Sequence, residues 1–269
     1  MSALPVLMYH HVTPNPGLVT VSPETFRAQV AWLAKNGWHG VGASEIEAFF
    51  QGQPLAEKSF VITFDDGYLD NFVYAHPVLE EFGLKAMLFA VTGWIGDGAV
   101  RGGGADCPDH RECKRRIAAG ESDTVMLRWP EIELMRRART FEIHSHTHTH
   151  TRWDKQLPDN TERNAALAED LRQSREILRE RLGQPSRHLC WPQGYYDADY
   201  VDIAQQAGFD HLYTTAKRPN LANSDPLHIG RIVVKDAPAA WLAKRLFIYR
   251  SALLSKIYLR LKGENAFQP

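Results

Sequence analysis

The sequence predicts an α/β fold in which parallel strands form a sheet or a barrel and helices cover them. Short apolar runs alternate along the chain with segments of helical periodicity, which is the order of elements in such folds. The apolar runs are nearly continuous, as in strands that are covered on both faces. The 269 residues suit one large domain or two small ones, and no linker-like segment divides them.

The first predicted strand, 5–10, is followed by a helical segment with clear end signals. Ser22 can cap this helix, Pro23 can take its first position and Gly37 can end it. Further helices are predicted at 71–83 and 160–182, and the remaining strands at 59–67, 85–93, 141–146, 187–194, 211–215 and 229–234.

Residues 95–125 depart from this alternation. They are rich in glycine and charge, which predicts a long loop inserted into the domain. Within it, Cys107 and Cys113 flank His110, but the cysteines are too far apart for the usual Cys-x2–4-Cys zinc motif. We therefore expect free thiols in a loop that could cover a cleft.

Residues 239–262 form a second unusual segment, with six basic residues and no acidic one. They predict a C-terminal helix that either packs on the domain or docks on anionic lipid. The apolar side chains predicted near one face of this helix are Leu242, Leu246, Tyr249, Leu253 and Ile257.

Composition and charge exclude several classes of protein. The net charge is −1 and the pI is near 6.9, so no basic field indicates nucleic-acid binding. Three cysteines, an odd number, argue against a disulfide framework. The N-terminal sequence lacks the regions of a signal peptide, and no uncharged run approaches the ~18 residues of a membrane span. A cytoplasmic environment is therefore expected.

Two adjacent carboxylates, Asp65 and Asp66, end the apolar strand at 59–67. A turn at Gly67 can bring both to one cavity at the strand end, where the active sites of α/β barrels lie. Two like charges this close need a cation or hydrogen bonds to compensate them. The pattern by itself also fits an ordinary solvated turn.

The segment EIHSHTHTH, residues 142–150, carries four histidines at alternate positions. His146 and His150 are four apart, which places both imidazoles on one side of a turn or a helix start. In an extended strand all four histidines would face one way. The segment alone does not decide between an extended strand and a turn or helix start. Two imidazoles and one carboxylate would form a three-ligand site with an open position, which is typical of hydrolytic zinc.

A third segment, CWPQGYYD, is a strand that runs into a Pro-Gly turn at 190–197. Its amides could donate to an oxyanion, although Trp-Pro-x-Gly alone is an ordinary turn. In this order, TFDDG, HTHTH and WPQG-YYD resemble the motifs of the NodB-homology polysaccharide deacetylases, carbohydrate esterase family four. LMYHHV and HIGRIVV resemble that family's first and last strands, so the resemblance covers roughly residues 4–235.

The resemblance implies a distorted (β/α) barrel, which we expect at 1–237, with the helical extension at 238–269. It implies a metal-dependent hydrolase that removes N-acetyl, less often O-acetyl, groups from sugars. Zinc is the expected metal, with Co²⁺, Ni²⁺ or Mn²⁺ as alternatives. The expected partner is an N-acetylated polysaccharide, oligosaccharide or lipid-linked glycan precursor, and the sequence indicates no particular oligomeric state.

Residue by residue, the resemblance also assigns roles within the site. The implied metal ligands are Asp66, His146 and His150. Asp65 matches the general base, and His144 and His148 are not ligands: His148 is expected to point away from the metal and His144 towards the barrel interior or the substrate. The turn whose backbone amide helps to bind the oxyanion is matched by Gln193, Gly194 and Tyr195.

The sequence departs from the family in two places. Many members carry an Arg two residues before the motif-three proline, where it orients the base, but here Cys190 takes that position. Arg231 could supply the cation from another strand. In many members the histidine of a closing Leu-x-His is the general acid. Here the closest histidine, His228, is displaced by one position from that motif. His10 is the alternative candidate for the general acid.

Two other functions stay open at this point. One is a deformylase or other amidase that acts on a lipid-linked amino sugar. The other is a saccharide-binding relative without catalysis. The four residues Asp65, Asp66, His146 and His150 argue against the second, because a binding module needs no base beside a metal.

Overall fold

The computed structural model describes residues 3–102 and 104–263. The strands there are β1 (Val6–Tyr9), β2 (His11–Val12), β3 (Thr20–Val21), β4 (His39–Gly40), β5 (Ser59–Asp66), β6 (Ala86–Ala90), β7 (Phe141–Ser145), β8 (His188–Cys190), β9 (His211–Tyr213) and β10 (Ile232–Val233). The α-helices are α1 (Pro23–Lys35), α2 (Ala43–Phe50), α3 (His76–Glu81), α4 (His110–Ala118), α5 (Trp129–Arg137), α6 (Trp153–Gln156), α7 (Asn160–Leu182), α8 (Ala198–Gln206), α9 (Ala239–Tyr249) and α10 (Ala252–Leu261). A π-helical turn, Asn71–Ala75, precedes α3.

The main sheet is parallel and has the strand order β10, β1, β5, β6, β7, β8, β9, with β4 paired to the start of β5. From β5 to β9, strands that follow one another in the chain are neighbours in space, and a helix lies in each connection. A parallel bridge joins Tyr213, at the end of β9, to Ile229, shortly before β10. The sheet therefore curls back on itself, and the predicted α/β barrel is confirmed as an incomplete barrel.

β5 shows how the two faces of the sheet are used. Phe60, Ile62 and Phe64 pack in the large core that the sheet shares with α1, α5 and α9. Val61 belongs to a separate cluster with Phe89 of β6 and residues of the other strands. Because side chains alternate along a strand, Asp65 continues the row of Val61 into the barrel interior.

The insertion predicted at 95–125 lies between β6 and α5, but it is not a loop throughout. Helix α4 lies within it and begins after Asp109, whose side chain accepts a hydrogen bond from the Glu112 amide at 2.9 Å. The sequence shows no apolar stripe for this helix, because Cys113 is its only buried residue. Cys113 packs against Tyr68 next to the end of β5, so the insertion closes over that end of the barrel.

The C-terminal segment forms two helices rather than the single one predicted. Arg250 ends α9, and Ser251 caps α10 by accepting a hydrogen bond from the Leu254 amide. The break changes the helical phase, so Leu253 and Ile257 are exposed instead of sharing the buried face of α9. The predicted extension runs to residue 269, and its last six positions lie outside the described residues. Within residues 3–102 and 104–263, no helix combines the length and apolar character needed to cross a bilayer.

Candidate metal centre and active site

Polar side chains converge where β5, β7 and β8 end, at the carboxyl edge of the sheet. Asp66 is the last residue of β5, His146 directly follows β7, and Cys190 ends β8. Parallel strands place these ends side by side, and α/β barrels carry their active sites at this edge. The structure thus brings the carboxylate and histidine motifs together.

Asp66, His146 and His150 form a compact group of potential metal ligands. Oδ1 of Asp66 lies 3.2 Å from Nε2 of His146 and 3.4 Å from Nε2 of His150. One ligand atom from each of the three lies within 4.8 Å of the other two. Two imidazoles and one carboxylate are the donors of hydrolytic zinc sites, which keep a further position open. The residues present therefore fit a divalent metal of this kind.

The backbone at Asp66 turns its side chain towards the histidines. Asp65 points into the barrel, so in a regular strand the next side chain would point to the opposite face. Asp66 instead has a φ of 73°, in the left-handed region that residues other than glycine rarely adopt. The sequence predicts this turn at Gly67, but it begins one residue earlier and continues through Gly67, where φ is 94°.

A similar backbone distortion shapes the histidine segment. Thr147 and His150 have φ values of 66° and 60°, so the chain leaves β7 as an irregular turn. This excludes the extended arrangement in which all four histidines would face one way. Strained positions of this kind are kept when the surrounding structure holds them, and they concentrate at functional sites.

Asp170 of α7 holds this turn in place. Its Oδ1 accepts hydrogen bonds from the amides of His148, at 2.6 Å, and Thr149, at 3.0 Å. Its Oδ2 accepts from the Thr149 hydroxyl and from the indole of Trp153. Asp170 is buried and carries no recognisable sequence motif. The one sign of Asp170 in the sequence is that a carboxylate falls on the apolar side of the long helix α7.

Burial and hydrogen bonding prepare the two histidine ligands differently. Nδ1 of His146 donates to the Cys190 carbonyl oxygen at 2.8 Å, which directs Nε2 to Asp66. Burial would lower the pKa of His146, but the Asp66 and Asp65 carboxylates, together with the contact to Cys190, outweigh it and raise this pKa well above its ordinary value. Burial lowers the pKa of His150 to about 4, although Asp66 opposes the shift. Without metal, His146 is therefore protonated against Asp66 at neutral pH, whereas His150 is neutral.

Asp65 lies beside this group and is held by Arg231. Nη1 and Nη2 of Arg231 contact Oδ1 and Oδ2 of Asp65 at 2.7 Å and 2.9 Å, and both side chains are buried. Burial would raise the pKa of Asp65, but Arg231, followed by His10 and His146, lowers it below its ordinary value. Asp65 is therefore ionised at neutral pH, as a general base must be.

A second possible ligand group, Asp65 with His146 and Cys190, overlaps the first. Both oxygens of Asp65 are already bonded to Arg231. Burial raises the pKa of the Cys190 thiol, although Arg231 opposes the shift, so the thiol stays protonated. Because metal ligands must be deprotonated, the group around Asp66 is the better metal site.

The two histidines considered as general acids lie in different surroundings. Nε2 of His10 is 3.7 Å from Oδ2 of Asp65, and the side chain is largely buried. His228 bonds Asp225 through Nδ1 at 3.0 Å and packs against the ring of Tyr196. Among its contacts with described residues, none reaches Asp65. The geometry therefore favours His10 over His228, the reverse of the order expected from the sequence.

The turn at Pro192–Gly194 follows β8, whose last residue is Cys190. The amides of Gly194 and Tyr195 donate within the turn, to the carbonyls of Trp191 and Pro192, at 2.9 Å and 3.2 Å. Gln193 has a φ of 55°, so its peptide is held in an unusual orientation. The amides of Gly194 and Tyr195 are therefore engaged within the turn. The third residue matched to the oxyanion turn, Gln193, donates neither of these two bonds.

Residues 52–212 match the family model described as polysaccharide deacetylase, and this stretch contains all three motifs and the ligand group. The chain belongs to the polysaccharide deacetylase family. Curated relatives from two species have the name poly-beta-1,6-N-acetyl-D-glucosamine N-deacetylase. The one from Escherichia coli K12 is 24% identical over 249 residues, 82% of this chain and 34% of that protein. The one from Staphylococcus aureus MSSA476 is 22% identical over 228 residues, 84% of this chain and 71% of that protein.

Solved structures of deacetylases share the fold. IcaB from Ammonifex degensii superposes with a TM-score of 0.71 at 24% identity, over 91% of this chain and 97% of that chain. The Streptococcus pyogenes deacetylase PplD, in complex with acetate, superposes with a TM-score of 0.73 at 20% identity, over 91% and 98%. This chain spans about a third of the length of two curated relatives, the E. coli protein and one from Bacillus subtilis.

Cys190 and Arg231 are in direct contact beside Asp65. By the motif resemblance, Cys190 takes the position of the arginine that orients the base in many members of the family. Here Sγ of Cys190 lies 3.0 Å from Nη2 of Arg231, so the guanidinium that comes from the segment before β10 reaches past the small thiol to Asp65. Arg231 also donates to the carbonyl of Thr214 and the hydroxyl of Thr63, which fix its position.

The remaining histidines of the tract lie outside the ligand group. His148 contacts the Thr92 hydroxyl through Nδ1 at 3.0 Å. His144 points into the barrel interior, where Nδ1 contacts the Ser186 hydroxyl at 2.9 Å and the ring packs against His188. Alternation along β7 puts His144 on the same face as His146, but His144 lies two residues, roughly 6–7 Å, earlier along the strand and therefore deeper in the barrel than the ligand group.

The cysteines of the insertion do not form a metal site with His110. The ring of His110 contacts Nε2 of His11 at 3.1 Å, and Cys113 contacts the Pro108 carbonyl. Burial raises the pKa of the Cys107 thiol to about 12. Both cysteines are free thiols.

Proposed function

We propose that this chain is a metal-dependent hydrolase that removes N-acetyl groups from an amino sugar in a saccharide chain. The observation that carries the proposal is the pairing of an ionised, arginine-held Asp65 with the three-ligand group of Asp66, His146 and His150. A base beside a site with an open coordination position is what hydrolysis of an amide requires. The names of the E. coli and S. aureus relatives support a polymer of N-acetylglucosamine as the first substrate to test.

A divalent metal held by Asp66, His146 and His150 would polarise the acetamide carbonyl and make a water molecule more acidic. Asp65 accepts the proton of the attacking water. Arg231 keeps Asp65 ionised and fixes its orientation, because it is bonded to both carboxylate oxygens. Zinc is the metal that this donor set favours, and Co²⁺, Ni²⁺ or Mn²⁺ are alternatives.

His10 donates a proton to the departing amine. Its Nε2 lies 3.7 Å from Oδ2 of Asp65, so one proton would be taken and another given within a small space. Burial lowers the pKa of His10, although Asp65 and Asp66 oppose the shift. A lowered pKa makes the protonated imidazole a stronger acid, and it also reduces the fraction of His10 that is protonated at neutral pH. The amide of Gln193 would bind the oxyanion that forms on the carbonyl.

The test is release of acetate from N-acetylglucosamine oligosaccharides, with and without a chelator. Acetate release that stops with chelator and returns with added metal is expected. Asp65→Asn should keep the bound metal and lose about 10²- to 10⁴-fold in turnover, because only the base is removed. His228→Ala should be the matched control for His10→Ala, with a loss of turnover only in the latter.

Other products would redirect the assignment. Release of formate from an N-formylated sugar, without acetate from the acetylated one, would indicate the deformylase. Saccharide binding without any hydrolysis would indicate a binding protein. Near-normal turnover of Asp65→Asn would contradict the assignment of the base.

A further inference from the structure

Helix α10 has one buried face and, opposite it, an exposed apolar face. Ser255 and Leu259 face the protein interior and are buried. Leu253, Leu254, Ile257 and Leu261 are exposed by 68%, 37%, 48% and 81%. At 100° per residue, positions 253, 254, 257 and 261 fall on one side of the helix, opposite the buried pair. We call these four residues the α10 apolar face.

Exposed apolar side chains are concentrated here. In the part of the chain that the structure describes, eight large hydrophobic residues are exposed, and four of them form the α10 apolar face. A fifth, Phe247, lies on the preceding helix α9 and is 63% exposed. Scattered exposed apolar residues are normal, but a contiguous group marks a surface that another molecule covers.

The charge around this face has one sign. Residues 239–262 contain six basic and no acidic residues, although the net charge of the chain is −1. Arg245 is engaged by Tyr258 and stacks on Trp241, and Arg250 pairs with Glu57. The other four are Lys244, Lys256, Arg260 and Lys262, and none of them forms an ion pair with a described residue. By helical phase, Lys256 and Arg260 lie along the edge of the α10 apolar face.

We propose that the α10 apolar face and its basic residues bind the surface of an anionic membrane. An amphipathic helix with Lys or Arg beside an apolar stripe lies in the membrane plane, with the stripe in the acyl boundary and the cations at the headgroups. The ten residues of α10 extend about 15 Å, which suits a helix that lies on a bilayer. A second copy of the chain is the weaker occupant, because it would bring two segments of the same positive charge together.

Co-sedimentation of the full chain with lipid vesicles tests this proposal. We expect binding to vesicles of phosphatidylcholine mixed with phosphatidylglycerol, and little binding to phosphatidylcholine alone. Salt near 1 M should weaken the binding, because charges are then screened beyond about 3 Å. The triple variant Leu253→Ser, Ile257→Ser, Leu261→Ser should partition at least about tenfold less, since three exposed aliphatic side chains can no longer enter the membrane.

The matched control is Leu18→Ser, because Leu18 is 72% exposed and lies outside α9 and α10. This variant should bind anionic vesicles as the unaltered chain does. Circular dichroism melting curves show whether the triple variant is folded. Lys256→Gln with Arg260→Gln should weaken binding without touching the apolar face, which covers the case in which the triple variant is unstable.

Three results would overturn the proposal. The unaltered chain could fail to sediment with anionic vesicles, or the folded triple variant could bind them as tightly as the control. Light scattering could instead show a dimer that the triple variant loses, which would assign the face to self-association. None of these outcomes depends on hydrolysis of an acetylated sugar, so the proposed function is tested separately.

Discussion

The guanidinium of Arg231 contacts both carboxylate oxygens of Asp65, at 2.7 Å and 2.9 Å, in the interior of the barrel. The two residues are 166 positions apart in the chain and meet because β10 pairs with β1, which in turn pairs with β5. The cation compensates one of two adjacent carboxylates. Arg231 thereby allows Asp65 to stay ionised close to Asp66.

Removing this cation should destabilise the protein. Arg231→Met leaves a buried carboxylate without its partner, which typically costs about 3–5 kcal/mol in the free energy of unfolding. Urea denaturation measures this free energy. In the double variant Arg231→Met, Asp65→Asn the buried charge is gone, so part of the loss should be recovered.

A surface arginine is the appropriate comparison. Arg172 pairs with Glu169 and Glu176 on the exposed side of α7, and Arg172→Met should leave the unfolding free energy nearly unchanged. If Arg231→Met and Arg172→Met had the same small effect, the contact with Asp65 would not be a structural requirement.

The ligand group makes distinct predictions for neighbouring histidines. His146→Ala and His150→Ala should lose bound metal, as should Asp66→Ala, because each removes one of three donors. His148→Ala should keep it, since His148 contacts Thr92 instead. Elemental analysis after dialysis measures the bound metal. A His148→Ala protein that lost its metal, or a His150→Ala protein that kept it, would contradict the assignment.

Metal binding should release a proton. In the metal-free protein the pKa of His146 is raised well above its ordinary value, so at neutral pH this imidazole is protonated and must lose a proton before it can coordinate. The pKa of His150 is about 4, so His150 contributes no proton near pH 7. Metal affinity should therefore rise with pH until the pKa of His146 is passed.

Calorimetric titration with metal in buffers of different ionisation enthalpy counts the released protons. We expect about one proton per metal near pH 7, released from His146. An affinity that does not change with pH across the neutral range would show that His146 is already neutral before metal binds.

Asp170 should control metal affinity without touching the metal. It fixes the amides of His148 and Thr149, which lie just before His150 in the chain. Each carboxylate oxygen of Asp170 accepts two hydrogen bonds, and Asp170→Asn replaces one of these acceptors with an NH₂ group that cannot accept them. The turn should therefore loosen, and metal affinity should fall by about 10- to 100-fold. Equilibrium dialysis measures the affinity. Glu169→Gln, an exposed change at the adjacent position, should have no such effect.

Several elements follow directly from the sequence. The helix predicted at 160–182 is α7, because Asp159 caps its start and Gly183, with a φ of 81°, ends it. The strand at 59–67 is β5, since its apolar run is buried along its whole length. The spacing of His146 and His150 also selected the two histidines that lie against Asp66.

Other features depended on tertiary structure. Helix α4 buries only Cys113, so its sequence lacks an apolar stripe, and the break at Ser251 was hidden in a continuous basic amphipathic pattern. The left-handed backbone at Asp66 is imposed by its surroundings and has no local signal. The preference for His10 over His228 required knowing which side chain reaches Asp65.

The left-handed residues at the site limit how it could be rebuilt on another protein. Asp66, Thr147, His150 and Gln193 are four of the seven non-glycine residues with positive φ in the described chain. A designer who copied the side chains onto the ends of ideal strands would aim the carboxylate and one imidazole in the wrong directions. The loops would have to be transplanted together with the supports that hold them, Asp170 among them.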